Sequence, residues 1–149
     1  MLILDLETNG LLPECNTIHC AAAYDTSTKE VFEFPPERIN HLPKFLEAHS
    51  KLCCHNGINF DLKVLKKVLN YEYKGEYIDT YLLSRILFPD LESPESDSSK
   101  AGRHSVEAWG LRFGHPKVSH SDWSRFTPEM LYRCVEDVGV RSEHISWGD

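Results

Sequence analysis

The chain has 149 residues, 41% hydrophobic and 26% charged, with a formal net charge of −7. A chain of that size and composition forms one globular domain whose core needs no disulfide staples. The acidic balance excludes tight, non-specific nucleic-acid binding through the overall field, and no apolar run approaches the ~20 residues that cross a bilayer.

The segment "LILDLETNG" alternates Leu2, Leu4 and Leu6 with Ile3, Asp5 and Glu7, which is the period of a β-strand. "NGLLPECN" is rich in turn residues, "TIHCAAAYD" reads as a second strand, "DTST" as a turn and "KEVFEF" as a third strand. Short turns between three strands predict an antiparallel meander. "PPERINHLPKFLEAHS" opens on prolines suited to a first helical turn, and Ile39, Leu42, Phe45 and Leu46 carry helical spacing. Pro43 falls inside that pattern and splits or kinks it.

"KLCCHNG" is a short fourth strand ending in a turn, with Cys53 and Cys54 as buried thiols. "FDLKVLKKVLNYEY" is a helix with Leu62, Leu65 and Leu69 on one face and Lys63, Lys66 and Lys67 outside. "GEYID" is a fifth strand, and Asp79 caps the helix "TYLLSRILF". "PDLESPESDSSKAG" has no periodicity, so a mobile loop is expected over about 89–103. "RHSVEAWGLRFG" is a helix closed by Gly114, with His104 capping or packing at its start and Trp109 in the core beside Val106 and Phe113. "HPKVSHSDWSRF" is irregular, and "TPEMLYRCVEDVGVRSEHI" is a last helix capped by Thr127.

This order predicts a single α/β domain over residues 1–149. It contains a mixed five-stranded sheet, three antiparallel N-terminal strands plus two more, with helices on both faces. The five cysteines, Cys15, Cys20, Cys53, Cys54 and Cys134, lack zinc-type spacing. They suit a reducing compartment, and a cytoplasmic protein with no membrane contact is expected.

Asp5 and Glu7 project from one face of the first strand, roughly 6–7 Å apart along the chain. Burying two such charges costs several kcal/mol unless a cation lies between them. Oxygen-only ligands favour Mg²⁺ or Mn²⁺ over zinc. An exposed edge strand carrying Asp and Glu for solubility is the alternative. Asp61 follows the fourth strand at the start of a helix, where an Asp is most often a cap. His55 and Asn56 in the preceding turn, with Thr8 and Asn9 after the first strand, are candidate substrate contacts. Asp137 lies mid-helix between Val135 and Val138, an apolar setting in which an Asp needs a partner.

"DLET", "HNGINFD" and "CVEDV" resemble, in order, the three motifs of the DEDD 3′–5′ exonuclease superfamily, which has a ribonuclease H-like fold. Within it the chain resembles the proofreading domain of phage family A DNA polymerases, including the linking segments "IDTYLLSRI" and "HSVEAWGLRFG". The resemblance implies that Asp5, Glu7, Asp61 and Asp137 hold two divalent cations, Mg²⁺ or Mn²⁺. Asp5 would bridge both ions, Glu7 and Asp137 would complete the ion beside the attacking water, and Asp61 would hold the second. The implied partners are the 3′ end of single-stranded nucleic acid, DNA foremost, and a DNA polymerase or polymerase domain. For a phage-encoded chain the location would be the host cytoplasm.

One position departs from the pattern. Proofreading relatives carry a Tyr four residues before the last acid, where this chain has Arg133. Tyr132 stands five residues before it, the spacing at which another branch carries a His. Arg133 shares a helix face with Asp137 and Tyr132 lies about 140° round. Either residue is a candidate beside the metals. Arg133 pairing with Asp137 and Tyr132 as a packing aromatic are the plainer alternatives. Two other functions compete: a free-standing exonuclease on RNA or short oligonucleotides, and a non-catalytic nucleic-acid-binding domain.

Overall fold

The computed structural model describes residues 1–94 and 102–115. The sequence alternation is realised in β1 (Leu2–Thr8). Leu2, Leu4 and Leu6 are buried, while Ile3 on the opposite face is 41% exposed. Each such leucine contributes about 1.5–3 kcal/mol by leaving water. β1 pairs antiparallel with β2 (Ile18–Asp25), which pairs antiparallel with β3 (Val31–Phe34). The turn between β2 and β3 is tied by the Asp25 carboxylate, which accepts from the Ser27 N–H at 2.7 Å.

The proline-led segment is split as expected. A 3₁₀ turn at Pro36–His41 gives way to α1 (Leu42–Glu47), with Pro43 in the first turn of α1 where its missing N–H costs nothing. β4 (Lys51–Cys54) then pairs parallel with the free side of β1, placing Leu52 beside Leu2 and Cys53 beside Ile3. α2 (Asp61–Leu69) ends earlier than its sequence pattern suggests. Asn70 adopts a left-handed conformation, φ 51°, and stops the helix. β5 (Glu76–Asp79) pairs parallel with β4, giving the sheet order β3-β2-β1-β4-β5 with β1 at its centre.

One core joins β1 to the helices that cover it: Leu2, Leu4 and Leu6 pack with Phe34, Leu42, Leu46, Leu52, Val64 and Leu65. Val64 and Leu65 form the inward stripe of α2, and Lys63, Lys66 and Lys67 are exposed as predicted. Cys15, Cys20, Cys53 and Cys54 are buried free thiols.

α3 (Thr80–Leu87) and α4 (Val106–Arg112) are linked by a polar knot. The buried Ser84 hydroxyl meets His104 Nδ1 at 2.8 Å and accepts from Trp109 Nε1 at 2.9 Å. His104 therefore packs. The expected core of Trp109 with Val106 and Phe113 is corrected: Val106 is 57% and Phe113 68% exposed. The Ser84 bonds rotate this two-turn helix so that Ala108 faces inward, fully buried, and Trp109 is only half-buried. Among the described residues no helix is long and apolar enough to cross a membrane. The last helix, Cys134, Trp123, Phe126 and the 95–101 part of the expected loop lie outside the described residues.

Candidate functional site

The parallel strands β1, β4 and β5 finish at one end of the sheet, the place where open α/β sheets build their sites. β1 brings Asp5 and Glu7 to that end, on the face opposite its buried leucines. A register shift between Glu7 and Thr8 ends the regular pairing there.

Beyond β4 the chain turns sharply. Asn56 is left-handed at φ 64°, a conformation Asn tolerates better than most residues. Gly57 is required by space. A Cβ there would lie 1.9 Å from the Tyr77 hydroxyl and 2.7 Å from Cys54 Cβ. The turn is clamped from β5 by Asp79, whose carboxylate accepts four backbone N–H groups. Two come from the turn, Asn56 at 3.0 Å and Ile58 at 3.1 Å. Two come from the first turn of α3, Tyr81 at 3.0 Å and Leu82 at 3.3 Å. Asp79 is the expected helix cap and a loop anchor besides.

Asp61 is no cap. It is the first residue of α2, and Phe60 occupies the cap position with no side-chain bond. Its carboxyl is 5% exposed. Lost hydration and then the negative charge of Asp5 push its pKa up to about 7, against hydrogen bonds from its own backbone and that of Leu6. Asp5 and Asp61, 56 positions apart in the sequence, are thus within electrostatic reach of each other. The wall behind Asp61 is nearly dry. Burial, with the charge of Asp61 adding to it, pushes the pKa of both the Cys54 thiol and the Tyr77 hydroxyl upward. Among the described residues the Tyr77 hydroxyl meets no nitrogen or oxygen partner, and it lies against the Cys54 thiol.

The four candidate substrate contacts all have local partners. His55 Nδ1 is 2.9 Å from the Thr80 hydroxyl, its ring meets Tyr81 edge-on, and burial lowers its pKa although Asp79 opposes the shift. The Asn56 side-chain oxygen accepts from Asn59 at 3.1 Å. Thr8 donates to the Gly10 carbonyl at 2.9 Å, and Asn9 Oδ1 accepts from the backbone of Asn16 and Thr17. Asp137, Tyr132 and Arg133 lie outside the described residues. Among the described residues, no three of His, Cys, Asp and Glu are grouped closely enough to form a metal cage by themselves. Sequence reasoning missed Gly57 and Tyr77. The Asn-Gly dipeptide signals a turn, but nothing local to Tyr77 announces that its hydroxyl ends beside Asp61.

Comparison with known proteins agrees with this architecture. Two curated relatives, the DNA-directed DNA polymerases of Escherichia phage T7 and Enterobacteria phage T3, are each 28% identical over 94% of this chain. The chain spans a quarter of the length of those relatives. A solved structure described as the apo form of a nuclease superposes over 92% of this chain and 65% of its own length. Its TM-score is 0.55 at 18% identity, a likeness of fold. A family profile matches residues 2–111, strand β1 through helix α4, and the chain belongs to the RNase H superfamily.

Proposed function

We propose that the chain is a metal-dependent 3′–5′ exonuclease of proofreading type, releasing nucleoside 5′-monophosphates from DNA ends. The observation that carries this reading is the approach of Asp5 to the buried Asp61. The charge of Asp5 raises the proton affinity of the buried Asp61, and oxygen-only ligands of this kind favour a hard divalent cation. Asp5, Glu7 and Asp61, with Asp137 from the segment beyond, would hold Mg²⁺ or Mn²⁺. Such ions supply charge neutralisation for the phosphodiester and a more acidic water.

The chain's own residues have separate tasks. Asp79 fixes the β4–α2 turn, and Asp61 with it, through two backbone hydrogen bonds, and ties it to α3 through two more. The dry wall of Cys54 and Tyr77 keeps Asp61 poorly hydrated. In the reaction a water oxygen bonds to the terminal phosphorus, the bond from phosphorus to the 3′ oxygen breaks, and the water proton ends on that oxygen. Tyr132 or Arg133 is the candidate to orient the water; a permanently charged Arg can hold phosphate but cannot act as base.

The test is incubation with 5′-labelled single-stranded DNA and RNA, with Mg²⁺, Mn²⁺ or chelator. Stepwise, metal-dependent shortening of the DNA supports the reading. Preference for RNA points instead to a free-standing ribonuclease, and binding of DNA without cleavage in any metal points to a non-catalytic module.

A further inference from the structure

Between α3 and the segment leading into α4 lies a cavity of about 360 Å³, lined by Tyr81, Arg85, Pro89, Gly102, Arg103 and His104. Among the described residues no carboxylate lines it. Among the described residues neither Arg85 nor Arg103 forms a salt bridge, although the chain is acidic overall. The Arg85 guanidinium sits 5.8 Å over the Tyr81 ring. Arg112 donates to the carbonyls of Arg103 and Glu92, holding the Arg103 backbone in place. Burial, and then the charges of Arg103, Arg85 and Arg112, lower the His104 pKa.

Unpaired guanidiniums around a cavity favour a multiply oxygenated anion. The volume suits a nucleotide unit better than a bare ion. The cavity also adjoins the turn that Asp79 clamps and that leads into Asp61. Tyr81 forms its wall, meets the His55 ring at 5.6 Å, and donates its backbone N–H to Asp79. We infer that the pocket between Arg85 and Arg103 holds a backbone phosphate of the nucleic-acid strand whose 3′ end lies at Asp5 and Asp61. This inference rests on the nuclease reading above.

The test uses the whole chain in chelator and a fluorescent ten-residue oligothymidylate, with anisotropy read from 50 to 200 mM KCl. Arg85→Gln with Arg103→Gln should weaken binding about ten-fold and flatten the slope of log Kd against log salt by about 0.7 per lost phosphate contact. Both side chains are exposed, so the fold should survive, as circular dichroism would check. Arg103→Gln alone should give about half the change. The pair Lys29→Gln and Lys44→Gln, exposed near β3, removes the same charge and should change little. Inorganic phosphate is titrated separately by calorimetry. Loss of phosphate heat in the Arg85 and Arg103 double variant with unchanged strand binding would mean a free-anion pocket, and overturn the inference. A wild-type chain that ignores the oligonucleotide defeats the nuclease reading itself. A double variant that binds as wild type, or no more weakly than the lysine pair, defeats only the pocket.

Discussion

The start of α2 and the end of β5 each carry a carboxylate that is 5% exposed, yet the two have opposite surroundings. Asp79 is met by four backbone N–H groups drawn from two segments. Asp61 has a desolvated wall behind it and the like charge of Asp5 nearby, and holds its proton to about pH 7. Equal burial therefore leaves two acids in different electrostatic states. Four donors meet Asp79, whereas the backbone hydrogen bonds that Asp61 receives from itself and Leu6 are outweighed by burial and the charge of Asp5. Asp79 spends its charge on architecture, whereas Asp61 keeps an electrostatic demand that a cation can meet.

That contrast can be broken most sharply by replacing each acid with a neutral residue. Asp61→Asn or Asp5→Asn should lower metal-dependent nucleotide release by at least about 10²–10³-fold, the scale of losing preorganised electrostatic stabilisation. Asp61→Asn should at the same time leave the metal-free fold as stable or more so at pH 7.5, read from urea denaturation. A normal turnover rate in either variant would remove these residues from the site. Asp79→Ala should do the reverse in order of effect. Four N–H donors lose their acceptor, and stability should fall by about 2–4 kcal/mol, with activity lost through a displaced turn rather than through lost chemistry.

The pH dependence sharpens the comparison further. Asp61 has its pKa raised from 3.8 to about 7, so the folded state binds more protons than the unfolded state between those values. Stability of the metal-free chain should accordingly fall as pH rises from about 4 to 7, by an amount on the order of a few kcal/mol at most. Millimolar Mg²⁺ or Mn²⁺ should reverse the trend by binding the ionised form. Metal-free stability that rises through this range in wild type and Asp61→Asn alike would show that Asp61 is not held protonated. The smallest effect concerns the wall. Gly57→Ala should cost about 1–3 kcal/mol through its clash with Tyr77 and Cys54. Tyr77→Phe should be close to neutral alone and should recover part of the Gly57→Ala loss. Strict additivity of the two would mean that the hydroxyl is not the obstacle.

Local features of the sequence announced much of this. The alternation of Leu2, Leu4 and Leu6 located β1, Pro43 marked the break before α1, and Asp79 was recognisable as a cap because a cap's signal spans only four residues. The helix with Trp109 misled, since its apolar spacing suggested a face that the Ser84 hydrogen bonds turn partly outward. Asp61 resembled a cap because position alone cannot reveal that the carboxyl turns inward. The second function of Asp79, the space that excludes any side chain at Gly57, and the guanidinium cavity all depend on contacts between distant segments. No window of neighbouring residues encodes them, and resemblance to whole motifs supplied what periodicity could not.

The central place of β1 also has a bearing on synthesis. One edge finds β2 after a nine-residue connection, but the other waits for β4, since Leu2 aligns with Leu52, fifty positions further on. At ~5–20 residues per second a ribosome takes about 3–10 s to deliver that partner. During this interval a nascent hairpin carries an open, apolar ladder edge, the kind that recruits other chains. Residues of the first strand therefore bear on yield during expression as well as on the stability of the finished sheet.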